Sequence, residues 1–182
     1  MRIAITGGIA EGKSTVLGYC KDAGYSTCSA DQVAKEVFES SEVQSKVAEL
    51  FGLSIPTRDA VRKAIAAQPA LRRKLNSITH ELIMTRVLER SDMFAEIPLL
   101  VETCTQHFFD RVWVVTCGED EQKKRLAARY SEAEIASMLG TQLPTKAKTP
   151  FADVIIRTNL DERTVKRYVL EIAKKQLGDI RF

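Results

Sequence analysis

Apolar positions along the 182-residue chain follow two periodicities in turn. Short apolar runs at Ile3-Ala4-Ile5, Tyr25 to Ser29, Met93 to Leu100, Arg111 to Thr116 and Val154-Ile155-Ile156 predict five strands. Near-continuous apolar character in the third and fourth predicts burial on both faces, as in a parallel sheet. Helical spacing predicts Ser14 to Ala23 with Gly24 as a stop, Gln32 to Glu39, and Glu119 to Arg129. A capping box at Ser131 and Glu134 starts a further helix, and a closing helix runs from about Asp161 to Leu177 with Val165, Val169, Ile172 and Ala173 inward. The middle has a different character. Val43, Val47, Leu50 and Phe51 mark one helix, Leu71, Leu75, Ile78 and Leu82 a longer one, and no strand is predicted between residues 42 and 90. Thr57 is a candidate helix cap, with Pro56 and Pro69 at boundaries, while Thr141 to Thr149 reads as a polar stretch. Strands alternating with helices define an α/β class with a helical excursion.

The link between the first strand and first helix carries the chemistry. Gly7-Gly8-Ile9-Ala10-Glu11-Gly12-Lys13-Ser14 fits G-x-x-x-x-G-K-[ST], a glycine-rich turn that curls around phosphate oxygens and presents its N–H groups as a nest. Gly8, Ile9, Ala10, Glu11, Gly12, Lys13, Ser14 and Thr15 are thus the candidate residues for binding a nucleoside triphosphate; Lys13 neutralises β- and γ-phosphate charge, and Ser14 is placed to hold Mg²⁺. A carboxylate at Glu11 is awkward there: at about 8 Å and an effective dielectric near 20 it would repel a phosphate by roughly 2 kcal/mol. The expectation is that its side chain turns out to solvent.

Composition narrows the partners. A 45% hydrophobic content suits a single domain, and a net charge of +3 with dispersed basic residues suits phosphorylated small molecules rather than nucleic acid. Cys20, Cys28, Cys104 and Cys117 have no metal-ligand or redox spacing and read as free thiols. With neither a signal peptide nor an apolar run of membrane-spanning length, the expected location is cytoplasmic, away from any membrane.

Other candidates come from position. Asp31 follows the second strand, where doubly wound sheets gather ligands, and a carboxylate there can take a hydroxyl proton; the alternative is a helix N-cap. Glu96 could reach Mg²⁺ through water or be a solvated strand-edge charge, and Glu102 could contact substrate or cap a helix. Arg125 and Arg129, four apart, could reach phosphates from one helical face or form a salt-bridging surface. His80 is an acceptor-side or structural histidine, the basic set Arg58, Arg62, Arg72 and Arg73 suits a pyrophosphate or mere solubility, and Trp113 reads as core.

Taken together, Thr6 to Thr15, Ser29-Ala30-Asp31 through Val37, Pro98-Leu99-Leu100-Val101-Glu102, Gln122 to Arg129 and Ala152-Asp153 resemble the dephospho-coenzyme A kinase family over nearly the whole chain. The middle is similar too, with Arg58, Pro69, Arg73, Leu75, Ile78 and His80 in the family's order, although Arg157-Thr158-Asn159-Leu160 stands where the family has D-N-x-G. The resemblance implies a three-layer P-loop NTPase fold with a parallel five-stranded sheet. It also implies a core of residues 1–41, 91–128 and 149–182, a helical acceptor-binding insertion at 42–90 and a short mobile lid at 129–148. The implied reaction moves the γ-phosphoryl of ATP to the ribose 3′-hydroxyl of dephospho-CoA, with Mg²⁺ at Ser14 and Glu96. Asp31, Lys13 and Arg125 would act in catalysis, Arg129 would bind ATP, and Asp31, His80, Leu99 and Glu102 would bind the acceptor. Another nucleoside or small-molecule kinase of this architecture, or a nucleotide-dependent switch, is the competing reading; the switch is disfavoured because no N-K-x-D motif is present. A monomer or small homo-oligomer is expected.

Overall fold

The computed structural model describes residues 1–68, 70–90 and 94–177, apart from the side chain of residue 66. Pro69 and Met93, both used in the sequence reading, lie outside the described residues. Two compact units emerge, one from Met1–Ser29 with Arg90–Phe182 and the other from Ala30–Glu89.

The first unit is built on a parallel sheet of β1 (Ile3–Gly7), β2 (Thr27–Ser29), β3 (Phe94–Glu96), β4 (Arg111–Thr116) and β5 (Val154–Arg157), in the order β2-β3-β1-β4-β5. β1 is central and buried along its whole length, as its apolar run predicts. α1 (Lys13–Asp22) packs against α9 (Glu162–Leu177), and Ile3, Ile5, Val16, Phe94, Trp113, Ile156 and Val169 form the core. Trp113 is fully buried, packs edge-on against Phe94 and donates its indole N–H to Gln176 Oε1 at 3.0 Å. Gly24 (φ +90°) ends α1 as a Schellman turn: its N–H reaches Lys21 O at 2.9 Å and that of Tyr25 reaches Cys20 O at 3.1 Å. This turn consumes Tyr25, so β2 starts at Thr27 rather than at Tyr25.

The third strand is also shorter than its apolar run predicts. Ile97 N–H still bonds Ile5 O at 2.9 Å, but Pro98 has no N–H for the ladder and residues 98–104 form turns instead. Leu100 is nevertheless fully buried, so the apolar run marked burial rather than strand. α6 (Glu119–Ala127) and α7 (Glu132–Leu139) follow β4, and the predicted capping box at Ser131 is present with both bonds formed. The polar stretch contains one short helix, α8 (Thr145–Lys148), continuing into a 3-10 turn at Thr149–Phe151.

The second unit contains α2 (Ala30–Glu39), α3 (Ser41–Phe51), α4 (Arg58–Ala67) and most of α5 (Ala70–Arg90), with α2 packed on α3. Val33, Val37, Val43, Val47 and Val61 are buried, and Thr57 caps α4 by accepting from the Ala60 N–H at 3.2 Å, as predicted. Asp31 lies in the first turn of α2 rather than at an N-cap before it.

Candidate active site

The glycine-rich turn leaves the carboxyl end of β1, the middle strand, where open α/β sheets place ligands. Its backbone needs unusual conformations, with Ala10 at φ +60° and Gly12 at φ +94°. Glycine suits the second position doubly, because a Cβ there would also meet the Thr158 side chain at 3.2 Å. The first intrahelical bond of α1 is from Val16 N–H to Gly12 O at 3.0 Å, so the helix presents its opening N–H groups and the positive end of its dipole to the loop.

Lys13 is buried, and its Nζ donates to Gly8 O at 2.8 Å. Beside it, Ser14 Oγ donates to Glu96 Oε1 at 2.9 Å. Glu96 is only 6% exposed and ends β3, which rules out the alternative of a solvated strand-edge charge. A hydroxyl and a carboxylate are the hard oxygen donors that Mg²⁺ takes alongside phosphates, so this pair fits the ion. Among the described residues no cluster of three or more His, Cys, Asp or Glu forms a larger metal site.

A cleft of about 580 Å³ lies against the loop, with Ala10, Gly12, Lys13 and Ser14 on one side and Arg125, Arg129 and Tyr130 on the other. The two arginines do not share a helical face, because α6 ends at Ala127 and Arg129 sits in the turn beyond, yet both reach the cleft. Arg129 is exposed. Arg125 holds the loop's backbone: its guanidinium donates to Ala10 O at 3.3 Å, to Thr158 O at 2.7 Å and to Glu121 Oε1 at 3.0 Å.

Glu11 does not face solvent. It is 2% exposed: Oε2 accepts from Gly8 N–H at 2.5 Å and from the Thr145 hydroxyl, and Oε1 accepts from the Thr116 hydroxyl at 3.0 Å. The expectation of an outward side chain weighed only repulsion from phosphate. It missed three donors brought together from the loop, β4 and α8.

Several residues given no part by the sequence reading also shape the loop. Gln122 Nε2 donates to Ile9 O at 2.8 Å, and Thr158 Oγ1 donates to Glu11 O at 2.6 Å. Gln122 stood in the motif running to Arg129, so its position was a signal, whereas the hydroxyls had none. Glu102, expected on the acceptor side, has Oε1 paired with the fully buried Lys148 Nζ at 2.8 Å and accepting from Leu143 N–H at 2.9 Å. Lys148 also donates to Pro98 O at 2.8 Å, so α8 is tied to the turn after β3. Leu99 lies in that turn, 40% exposed.

In the helical unit, Asp31 is exposed and borders a cavity of about 530 Å³ with Lys35, Phe38, Arg58 and Arg62. The Arg58 guanidinium lies 5.8 Å from the centre of the Phe38 ring. His80 is exposed on α5. In the chain, Asp31 comes two residues after Ser29, which pairs with Glu96 in the sheet.

A phosphate nest at the end of the central strand, a serine–glutamate pair for a hard cation and a cleft walled by arginines define a P-loop kinase of the α/β class. A family model for dephospho-CoA kinase matches residues 1–163, and the chain belongs to that family. It is 34% identical to the dephospho-CoA kinase of Bdellovibrio bacteriovorus over 94% of either chain, and 30% identical to that of Carboxydothermus hydrogenoformans over 95% of this chain and 93% of the relative. The fold is similar to the solved dephospho-CoA kinase of Campylobacter jejuni, with a TM-score of 0.72 at 22% identity and 98% coverage of each chain.

Proposed function

We propose that the sheet unit grips ATP and Mg²⁺ while Asp31 prepares the acceptor. The enzyme phosphorylates dephospho-CoA with ATP, releasing CoA and ADP. The observation that carries the division of labour is the bond between Ser14 and Glu96 beside Lys13 in the arginine-walled cleft.

Phosphoryl transfer asks the protein mainly for positioning and for charge that meets the oxygens of the moving group. Lys13, already buried at the loop, supplies a cation to the β- and γ-phosphates, and Arg129 adds another from the cleft wall. Ser14 and Glu96 hold Mg²⁺, which when bound neutralises developing phosphate charge. Arg125 serves as a positioning residue, holding the Ala10 carbonyl and the segment after β5 in place. Asp31 accepts the proton of the ribose 3′-hydroxyl as that oxygen attacks. His80, Leu99, Glu102 and the cationic set Lys35, Arg58 and Arg62 are the candidate acceptor contacts. We also place the enzyme in the cytoplasm, a reading supported by its four free cysteines. No described helix is long and apolar enough to cross a membrane.

The test is ADP release with dephospho-CoA against a panel of nucleosides and nucleotides. Turnover with a nucleoside alone would refute the acceptor assignment. Lys13→Ala is expected to abolish transfer. Asp31→Asn should keep ATP affinity while slowing transfer by roughly 10²-fold, a general-base magnitude; an unchanged rate would reduce Asp31 to a surface residue of α2.

A further inference from the structure

A carboxylate is kept out of water only where donors meet it, and Glu11, beneath the phosphate loop, has three. Gly8 N–H and the Thr145 hydroxyl share Oε2, and the Thr116 hydroxyl takes Oε1. The contacts continue in two directions. Thr116 Oγ1 accepts from Gly118 N–H at 3.1 Å, at the start of α6, the helix that sends Gln122 and Arg125 back to the loop carbonyls. On the other side Gly8, fixed at its N–H by Glu11 and by Thr145 Oγ1 at 3.0 Å, offers its carbonyl to Lys13 Nζ at 2.8 Å. A carboxylate accepts from both hydroxyls and the backbone N–H at once; a glutamine has one acceptor oxygen, so one of the three contacts is lost or is reversed, with a hydroxyl accepting from its NH₂ group.

We propose that Glu11 is a positioning residue for phosphoryl transfer: its carboxylate sets the loop at Gly8, thereby sets the resting place of the Lys13 ammonium, and locks both to Thr145 of α8. The residue thus acts through its side chain, from behind the loop, in addition to any backbone contact with ATP. A negative charge in that place opposes nucleotide binding while improving the alignment of the transferring group. Affinity and rate therefore separate. Simple damage to the loop would lower both.

The proposal rests on the loop gripping ATP, and its test reads binding and turnover apart. ATP affinity is measured by calorimetry and kcat by ADP release with dephospho-CoA, for the full chain carrying Glu11→Gln, Thr145→Val, Thr145→Ser and the Glu11→Gln/Thr145→Val pair. Glu11→Gln is expected to lower kcat about tenfold while ATP binds as tightly or tighter. Thr145→Val should lower kcat in the same way, Thr145→Ser should recover it, and the double variant should fall within about twofold of Glu11→Gln because both changes break one connection. Multiplying losses in the double variant, kcat unchanged in both single variants, or ATP affinity falling in step with kcat would each overturn the proposal. Should Glu11→Gln fail to fold, the Thr145→Val and Thr145→Ser comparison decides by the same criteria. A wild-type chain that bound no ATP would overturn both this proposal and the loop assignment, whereas an ATP-binding wild type with unaffected variants would overturn this proposal alone.

Discussion

Lys148 is fully buried, and its ammonium is held by the Pro98 carbonyl and by Glu102, whose side chain is 17% exposed. Removing one partner of such a pair leaves a charge stranded, at a cost of about 3 kcal/mol. Lys148→Met is therefore expected to lower unfolding free energy by about that amount in urea titrations, and Lys148→Met/Glu102→Leu to regain most of it because the apolar pair strands no charge. A variant as stable as the wild type would show the pair to be dispensable. Cysteines offer a second residue-level test. Burial pushes the Cys20 thiol up to about 12, whereas Cys104 is exposed. In the native protein a thiol reagent should modify Cys104 first and spare Cys20 until denaturation, with peptide mapping as the readout. Lysine in a polar, threonine-rich stretch carries no sign of burial in the sequence, because neither periodicity nor composition distinguishes it from a solvated one. Glu11 was misread for the same reason: its three donors lie three, 105 and 134 residues away in sequence.

At the scale of single elements, helix ends were legible where the cap is local. Ser131 with Glu134, and Thr57 before α4, are patterns complete within four residues, and both are formed. Asp161 opens α9 in the same manner: hydrogen bonds from the Thr164 side chain and N–H hold its carboxyl below the usual aspartate value. Because the folded value is the lower one, the cap's contribution is complete above the ordinary aspartate range and vanishes as pH falls through the lowered value. Asp161→Ala is thus expected to reduce the melting temperature at pH 7, with a gap from the wild type that narrows in melts taken toward about pH 3. A gap independent of pH would assign the effect to something other than the carboxylate. Strand ends were less legible. β3 stops at Glu96 because Pro98 cannot continue the ladder, yet the apolar run continues to Leu100, which is buried in a turn. Hydrophobicity reports burial, and only the hydrogen bonds separate strand from turn.

For the molecule as a whole, the alternation of strands and helices was enough to predict a parallel five-stranded sheet, since parallel strands need long crossovers and most of these run through helices, the turns between β3 and β4 being the exception. The order β2-β3-β1-β4-β5 was not readable from those patterns, because it is set by which strands pair across distant segments. Along the chain, α2 groups with the helices that follow it in one compact unit. The loop residues Gly8 to Ser14 were legible as one continuous motif. The ties that hold that motif, from α6, α8 and the segment after β5, come from three separate stretches and became visible only in three dimensions.

Trp113 is the chain's single tryptophan and sits wholly within the sheet unit, edge-on to Phe94 and bonded to Gln176. Its emission is consequently a private optical reporter for that unit, while circular dichroism at 222 nm also samples the four helices centred on residues 30–89. Monitored side by side through a denaturant ramp, the two signals would reveal whether the helical unit melts as a separate event or only when the sheet gives way.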